Sequence, residues 1–184
     1  MSENITPALL QTFCSVERYR VAIQKPWTRG EWTYATCGRI IVRVSALSQI
    51  NDDMEAPNLT SFDFTMIEPF HLLDASQIPP QSAETKECPT CNGRGTEHDC
   101  PDCECECEEC DGVGKVSIVS DWKTSLTMSG ALFWLGLVRR LATLPNVRVP
   151  DKTTRNPTPF IFDGGDGLIM GLRARYDRHL EVFL

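Results

Sequence analysis

The sequence predicts an α+β fold: an antiparallel sheet with two helices, interrupted by a small cysteine-rich insert. Three observations carry that expectation. The chain runs twice through one rhythm, a helix signal followed by short alternating strands. Gly, Pro, Asn and Asp punctuate those strands where turns belong. Seven of the nine cysteines fall between Cys88 and Cys110, after the first rhythm and before the second.

Taken in order, Thr6-Pro7 is a helix start, a capping hydroxyl followed by proline at the first helical position. The helix is expected from Pro7 to about Ser15, burying Leu9, Leu10 and Phe13. Arg18 to Gln24 reads as a strand, Lys25-Pro26 and Arg29-Gly30 as punctuation, and Glu31 to Thr36 as a second strand. Cys37-Gly38 sits where a tight turn belongs, and Arg39 to Val44 continues as a third strand. Asn51 to Asn58 is a polar loop, with a further strand expected over Ser61 to Met66. Gln77 to Lys86 is a linker by composition.

Beyond the insert, Lys115 to Ser120 reads as a strand, with Ser125 to Met128 extending or following it. Ser129 is expected to cap a helix from Gly130 to about Thr143. That helix is apolar nearly all round (Leu132, Phe133, Trp134, Leu135, Leu137, Val138, Leu141) and so is covered on more than one face. Asn146 to Val149 and Pro159 to Asp163 are strands. Asp163 to Gly167 is a hairpin turn, and Leu168 to Arg173 returns. The division that results is a body of 1–83 plus 115–184 and an insertion of 84–114.

At 184 residues the chain fits one domain of ordinary size carrying an insert. Its net charge of −7 is unevenly spread. Residues 1–83 hold 6 basic and 9 acidic side chains, 84–114 hold 2 and 10, and 115–184 hold 10 and 6. The insert is therefore a poor partner for nucleic acid, and the basic C-terminal half is the part suited to DNA. No run of 18 apolar residues occurs, and Met1 is followed by polar Ser2-Glu3-Asn4. Neither a transmembrane helix nor a secretory signal is expected, which gives a cytoplasmic reading with reduced cysteines and no membrane partner.

The insert holds two copies of C-x-x-C-x-G-x-G, at Cys88-Pro-Thr-Cys91-Asn-Gly93-Arg-Gly95 and Cys107-Glu-Glu-Cys110-Asp-Gly112-Val-Gly114. Two thiols at this spacing reach one ion from a tight turn, and the glycines let backbone N–H groups point at sulfur. Cys88, Cys91, Cys107 and Cys110 then make a closed tetrahedral Zn2+ site of structural type. His98, Cys100, Cys103 and Cys105 are candidate ligands for a second, Cys3His site. Two other arrangements stay open: Cys100 and Cys103 joining Cys88 and Cys91, or spare thiols on an acidic loop. Thiol–disulfide exchange is the third use of such pairs, disfavoured by carboxylates that raise thiol pKa.

The knuckles resemble the cysteine-rich zinc domain of DnaJ-type chaperones over Cys88 to Gly114. The chain departs from that family in having two complete repeats and no J-domain or His-Pro-Asp tripeptide. In the body, Tyr34-Ala-Thr-Cys-Gly-Arg-Ile-Ile-Val42 is similar to the A-T-D-G-(H/R) strand–turn–strand of bacterial sliding clamps, with Cys37 in the aspartate's place. Asp166-Gly-Leu-Ile-Met-Gly-Leu-Arg173 is similar to the clamp's closing M-P-(M/L)-R, with Gly171 in the proline's place. The resemblance implies one clamp-type domain, homo-oligomerisation for any closed ring, and helices that contact duplex phosphates without reading sequence.

The basic candidates for that contact are Arg139, Arg140, Arg148 and Lys152, with Arg155 nearby. Arg173, Arg175 and Arg178 are as well suited to a solvated surface. Trp122, Phe133 and Trp134 fit a core or subunit interface, and Cys14 and Cys37 fit small buried hydrophobes. No Ser/His/Asp set, P-loop or dinucleotide fingerprint is present, so no enzymatic activity is expected. The expected function is that of an accessory protein in DNA replication or another DNA transaction, its insert meeting a protein partner; the alternatives are a zinc-stapled adaptor without a DNA role and a thiol-dependent chaperone or oxidoreductase. A compact clamp-like chain with an insert would suit a phage or mobile element.

Overall fold

The structure, a computed structural model, describes residues 5–17, 19–51, 56–57, 59, 62–66, 69–80, 85–96, 107, 110, 112–117, 124–153 and 156–172. Its main element is a seven-stranded antiparallel sheet. In chain order the elements are α1 (Pro7–Gln11), β1 (Trp27–Arg29), β2 (Trp32–Thr36), β3 (Ile40–Ser45), β4 (Phe70–Leu72), β5 (Thr85–Glu87), β6 (Lys115–Ser117), β7 (Ser125–Met128), β8 (Ala131–Trp134), α2 (Leu135–Leu141), β9 (Arg148–Pro150), β10 (Thr158–Phe162) and β11 (Gly165–Ile169). The sheet order is β1-β2-β3-β11-β10-β9-β4. The two halves of the chain therefore meet at β3 and β11, where Val42 lies opposite Gly167. Strand β4 crosses to the far edge and pairs with β9.

Alternation along these strands separates the two faces of the sheet. Ala35, Ile40, Val42, Val44, Phe160, Phe162 and Ile169 join α1, α2 and the β7–β8 hairpin in one buried cluster. On the other face Arg43 pairs with Asp166 through two bonds, Nε–Oδ1 at 2.5 Å and Nη2–Oδ2 at 2.8 Å. The Arg43 guanidinium also stacks over Trp32 and Phe64, 4.5 and 4.0 Å from the ring centroids. This pair fastens the connection between β3 and β4 onto the sheet. Both side chains are under a fifth exposed, so loss of one partner leaves the other desolvated. Asp166→Asn is expected to cost about 2 kcal/mol, read as a lower urea midpoint at unchanged slope.

Several expected elements are placed differently. The helix from Pro7 ends at Gln11, capped as expected by Thr6 Oγ1, and then tightens into i→i+3 turns through Cys14. The Arg18–Gln24 strand is replaced by a 3-10 turn at Val21–Ile23. Its alternation was misleading because Tyr19 and Val21 face solvent. Arg29, read with Gly30 as punctuation, ends an edge strand that the sequence reading did not expect, β1. No strand forms over 62–66; it forms at Phe70–Leu72. The helix expected from Gly130 begins at Leu135. Ser129 and Gly130 both have positive φ (54° and 75°), which turns β7 back as the β8 hairpin and so makes Ala131–Trp134 a strand.

Candidate metal centre

Strands β5 and β6 form a two-stranded ribbon, Thr85 opposite Ser117 and Glu87 opposite Lys115. The knuckles begin where the ribbon ends. Cys88 Sγ lies 3.8 Å from Cys107 Sγ, and Cys91 Sγ lies 3.7 Å from Cys110 Sγ. All four sulfurs lie within 4.8 Å of one another. They are free thiols, and each residue is 6 % exposed or less. Such a cluster can hold one metal ion.

The backbone explains how two short segments converge. Each knuckle carries the same set of bonds, displaced by 19 residues. Gly95 N–H donates to Cys91 Sγ and Gly114 N–H donates to Cys110 Sγ, both at 3.2 Å. Gly93 N–H reaches the Cys88 carbonyl and Gly112 N–H the Cys107 carbonyl, both at 3.3 Å. Between the knuckles the bonds are exchanged: Cys88 N–H donates to the Gly114 carbonyl (2.9 Å) and Cys107 N–H to the Gly95 carbonyl (2.8 Å). The glycine backbones also touch reciprocally. A Cβ on Gly95 would lie 2.2 Å from the Gly112 oxygen, and one on Gly114 would lie 2.2 Å from the Gly93 oxygen. This is a pseudo-two-fold clasp in which each knuckle completes the other.

Crowding four thiols apart from water spreads their acidities. Burial opposes ionisation of Cys91, but the Gly95 N–H and the thiols of Cys88, Cys110 and Cys107 outweigh it and bring its pKa down to about 7. Burial and the neighbouring thiols push Cys107 up to about 12. Burial also raises Cys110, against the opposing Gly114 N–H bond. Without a cation Cys107 and Cys110 keep their protons; a cation stabilises their thiolates.

The remaining sites are less convergent. His98, Cys100, Cys103 and Cys105 lie outside the described residues, as do Trp122, Arg155, Arg173, Arg175 and Arg178. Arg139 donates from Nε and Nη2 to the Pro79 carbonyl, at 3.0 and 2.7 Å. Arg148 pairs with Asp163 at 3.2 Å. Arg140 is half-buried and Lys152 exposed. Cys14 is buried, its thiol raised to about 12 chiefly by desolvation, while Cys37 is half-buried beside the same core. A groove of about 420 Å³ lies between Ile41 and Leu168 of the sheet, Met170 just after β11, and Leu59 and Phe62 of the β3–β4 connection. Reading the strands singly missed it, because its wall forms only when β3 and β11 pair. No helix among the described residues is long and apolar enough to cross a membrane.

No protein-family model, curated protein or solved structure matches this chain.

Proposed function

We propose that the chain is a non-enzymatic zinc-binding accessory protein of a DNA transaction, its metal-stapled insert serving as the element that meets a protein partner. The observation that carries the zinc assignment is the thiol spacing. Four sulfurs about 2.3 Å from a tetrahedral zinc are about 3.8 Å apart, and the closest pairs here are 3.7 and 3.8 Å apart. Four protein thiolates leave no position for water or substrate, so the zinc is a staple. Burial of the same thiols speaks against disulfide exchange as their purpose.

Elemental analysis of the purified chain, with its visible spectrum, tests this reading. One zinc per chain and no visible band are expected from the described site, and a second zinc would come from His98, Cys100, Cys103 and Cys105. A coloured iron tetrathiolate, or no metal, would overturn the assignment. The DNA half of the proposal rests on the sliding-clamp resemblance and on the basic C-terminal half. With Arg139 and Arg148 engaged within the chain, phosphate contact falls to Arg140 and Lys152. Duplex binding at low salt, insensitive to sequence and weakened by Arg140→Ala with Lys152→Ala, is expected. No binding at low salt would leave a zinc-stapled adaptor without a DNA role.

A further inference from the structure

The insert is rooted on one helix at both of its ends. On the incoming side, Arg139 of α2 donates from Nε and Nη2 to the Pro79 carbonyl, at 3.0 and 2.7 Å, and Ile78 packs against the body's core. On the outgoing side, the N–H of Leu135, the first residue of α2, donates to the Thr124 carbonyl at 2.9 Å. Thr124 and Ser125 are buried there. A chain advances at most about 3.5 Å per residue. The ribbon therefore begins, at Thr85, within about 21 Å of the Pro79 root and ends, at Ser117, within about 25 Å of the Thr124 root, whatever path the chain takes.

Charge is divided between these neighbours. Residues 84–114 hold 2 basic and 10 acidic side chains, and the rest of the chain holds 16 and 15. The insert thus carries all of the chain's net negative charge. Zinc does not relieve it, because four thiolates outweigh one dication. Beside Arg139 on α2 stands Arg140, which with Lys152 takes the duplex contact proposed above. A tethered charge acts on a duplex at that helix when the screening length is about 30 Å, as at about 0.01 M salt. It hardly acts at about 0.15 M, where screening sets in at about 8 Å. A duplex, with one charge per about 1.7 Å, presents many phosphates to the field at once.

We infer that the insert is an electrostatic brake on duplex contact at α2, released when a basic partner segment neutralises its carboxylates. The inference rests on the duplex contact proposed for Arg140 and Lys152. Linkage makes the relation reciprocal: a partner that binds the insert better on the DNA-bound chain strengthens DNA binding by the same factor.

Fluorescence anisotropy with a short labelled duplex tests the inference on the full metal-loaded chain. The variant combines Glu104→Gln, Glu106→Gln, Glu108→Gln and Glu109→Gln, which imitates neutralisation by a partner; an unchanged metal content will verify its knuckles. Its dissociation constant is expected to fall at least about fivefold at about 0.01 M salt, and the gain to shrink below about twofold at about 0.15 M. Glu84→Gln with Glu87→Gln, outside both knuckles, is the second variant, with a gain of about twofold expected at the lower salt. Wild type and variants that bind the duplex equally at low salt would overturn the brake and leave the DNA reading standing. Duplex binding by none of the three would overturn both. A gain that persists at the higher salt would also overturn the brake, since the substituted side chains would then act by contact and not through their field.

Discussion

Cys107→Ser is expected to abolish metal binding and unfold the ribbon and knuckles, while the seven-stranded body keeps its cooperative transition. The reason lies in how little else holds the insert together. Among the described residues, its buried cluster receives only Val116 beyond the four cysteines. Strand β5 is exposed at all three of its positions, and three residue pairs of ribbon do not fold alone. Metal binding supplies on the order of 10 kcal/mol to such sites, and that free energy is the folding free energy. The body, by contrast, owns the cluster that spans α1, α2 and the sheet. Amide exchange reads both outcomes at once: protection at Cys88, Gly95 and Gly114 should vanish, and protection at Val42 and Leu168 should persist. Loss of protection in both regions would mean that insert and body fold as one unit.

Acid is expected to act in the same direction as the substitution. Cys107 and Cys110 have raised pKa values in the metal-free cluster, so binding at neutral pH must expel their protons. Affinity then falls as pH falls, and the insert should lose metal in mild acid before the body unfolds.

What could be read from the sequence was what is local in it. The knuckles are eight-residue motifs whose cysteine and glycine spacing states the geometry directly. The β10–β11 hairpin was equally legible, but its turn was set too long: Asp163 and Gly164 make the turn, and Gly165–Gly167, read as part of it, belong to β11 opposite Phe162–Phe160. Residues 131–134 were misread because an apolar run four residues long fits a strand or a buried helix alike. Only the paired positive φ values at Ser129 and Gly130 decide between them. The Arg43–Asp166 pair spans 123 residues, and no local pattern announces a partner so far away. The exchange of bonds between the knuckles was hidden for the same reason. Each motif shows its own N–H···S bond, but not that its last glycine packs against the other motif's backbone.

That hidden contact sets apart glycines that look alike in the motif. Gly114→Ala is expected to weaken metal binding about 100-fold or more, and Gly93→Ala only about tenfold, as competition with a chromogenic zinc chelator would measure. Both residues have positive φ, +74° and +79°, so both variants bear the strain of a left-handed alanine. Around Gly93 a Cβ meets only the Glu87 side chain at 3.6 Å, an ordinary contact. At Gly114 it would meet the Gly93 carbonyl oxygen at 2.2 Å, and backbone cannot rotate aside as a side chain can. Relieving the clash must part the knuckles, which lengthens the Gly114 N–H bond to Cys110 Sγ and the Cys88 N–H bond to the Gly114 carbonyl together. Gly130→Ala supplies the control, with φ +75° and open space around its Cβ; it should strain the body and leave metal affinity alone. If Gly114→Ala and Gly93→Ala weakened binding equally, left-handed strain would account for both losses and the reciprocal packing would contribute nothing. A difference of an order of magnitude would show that the two knuckles hold the metal by holding each other.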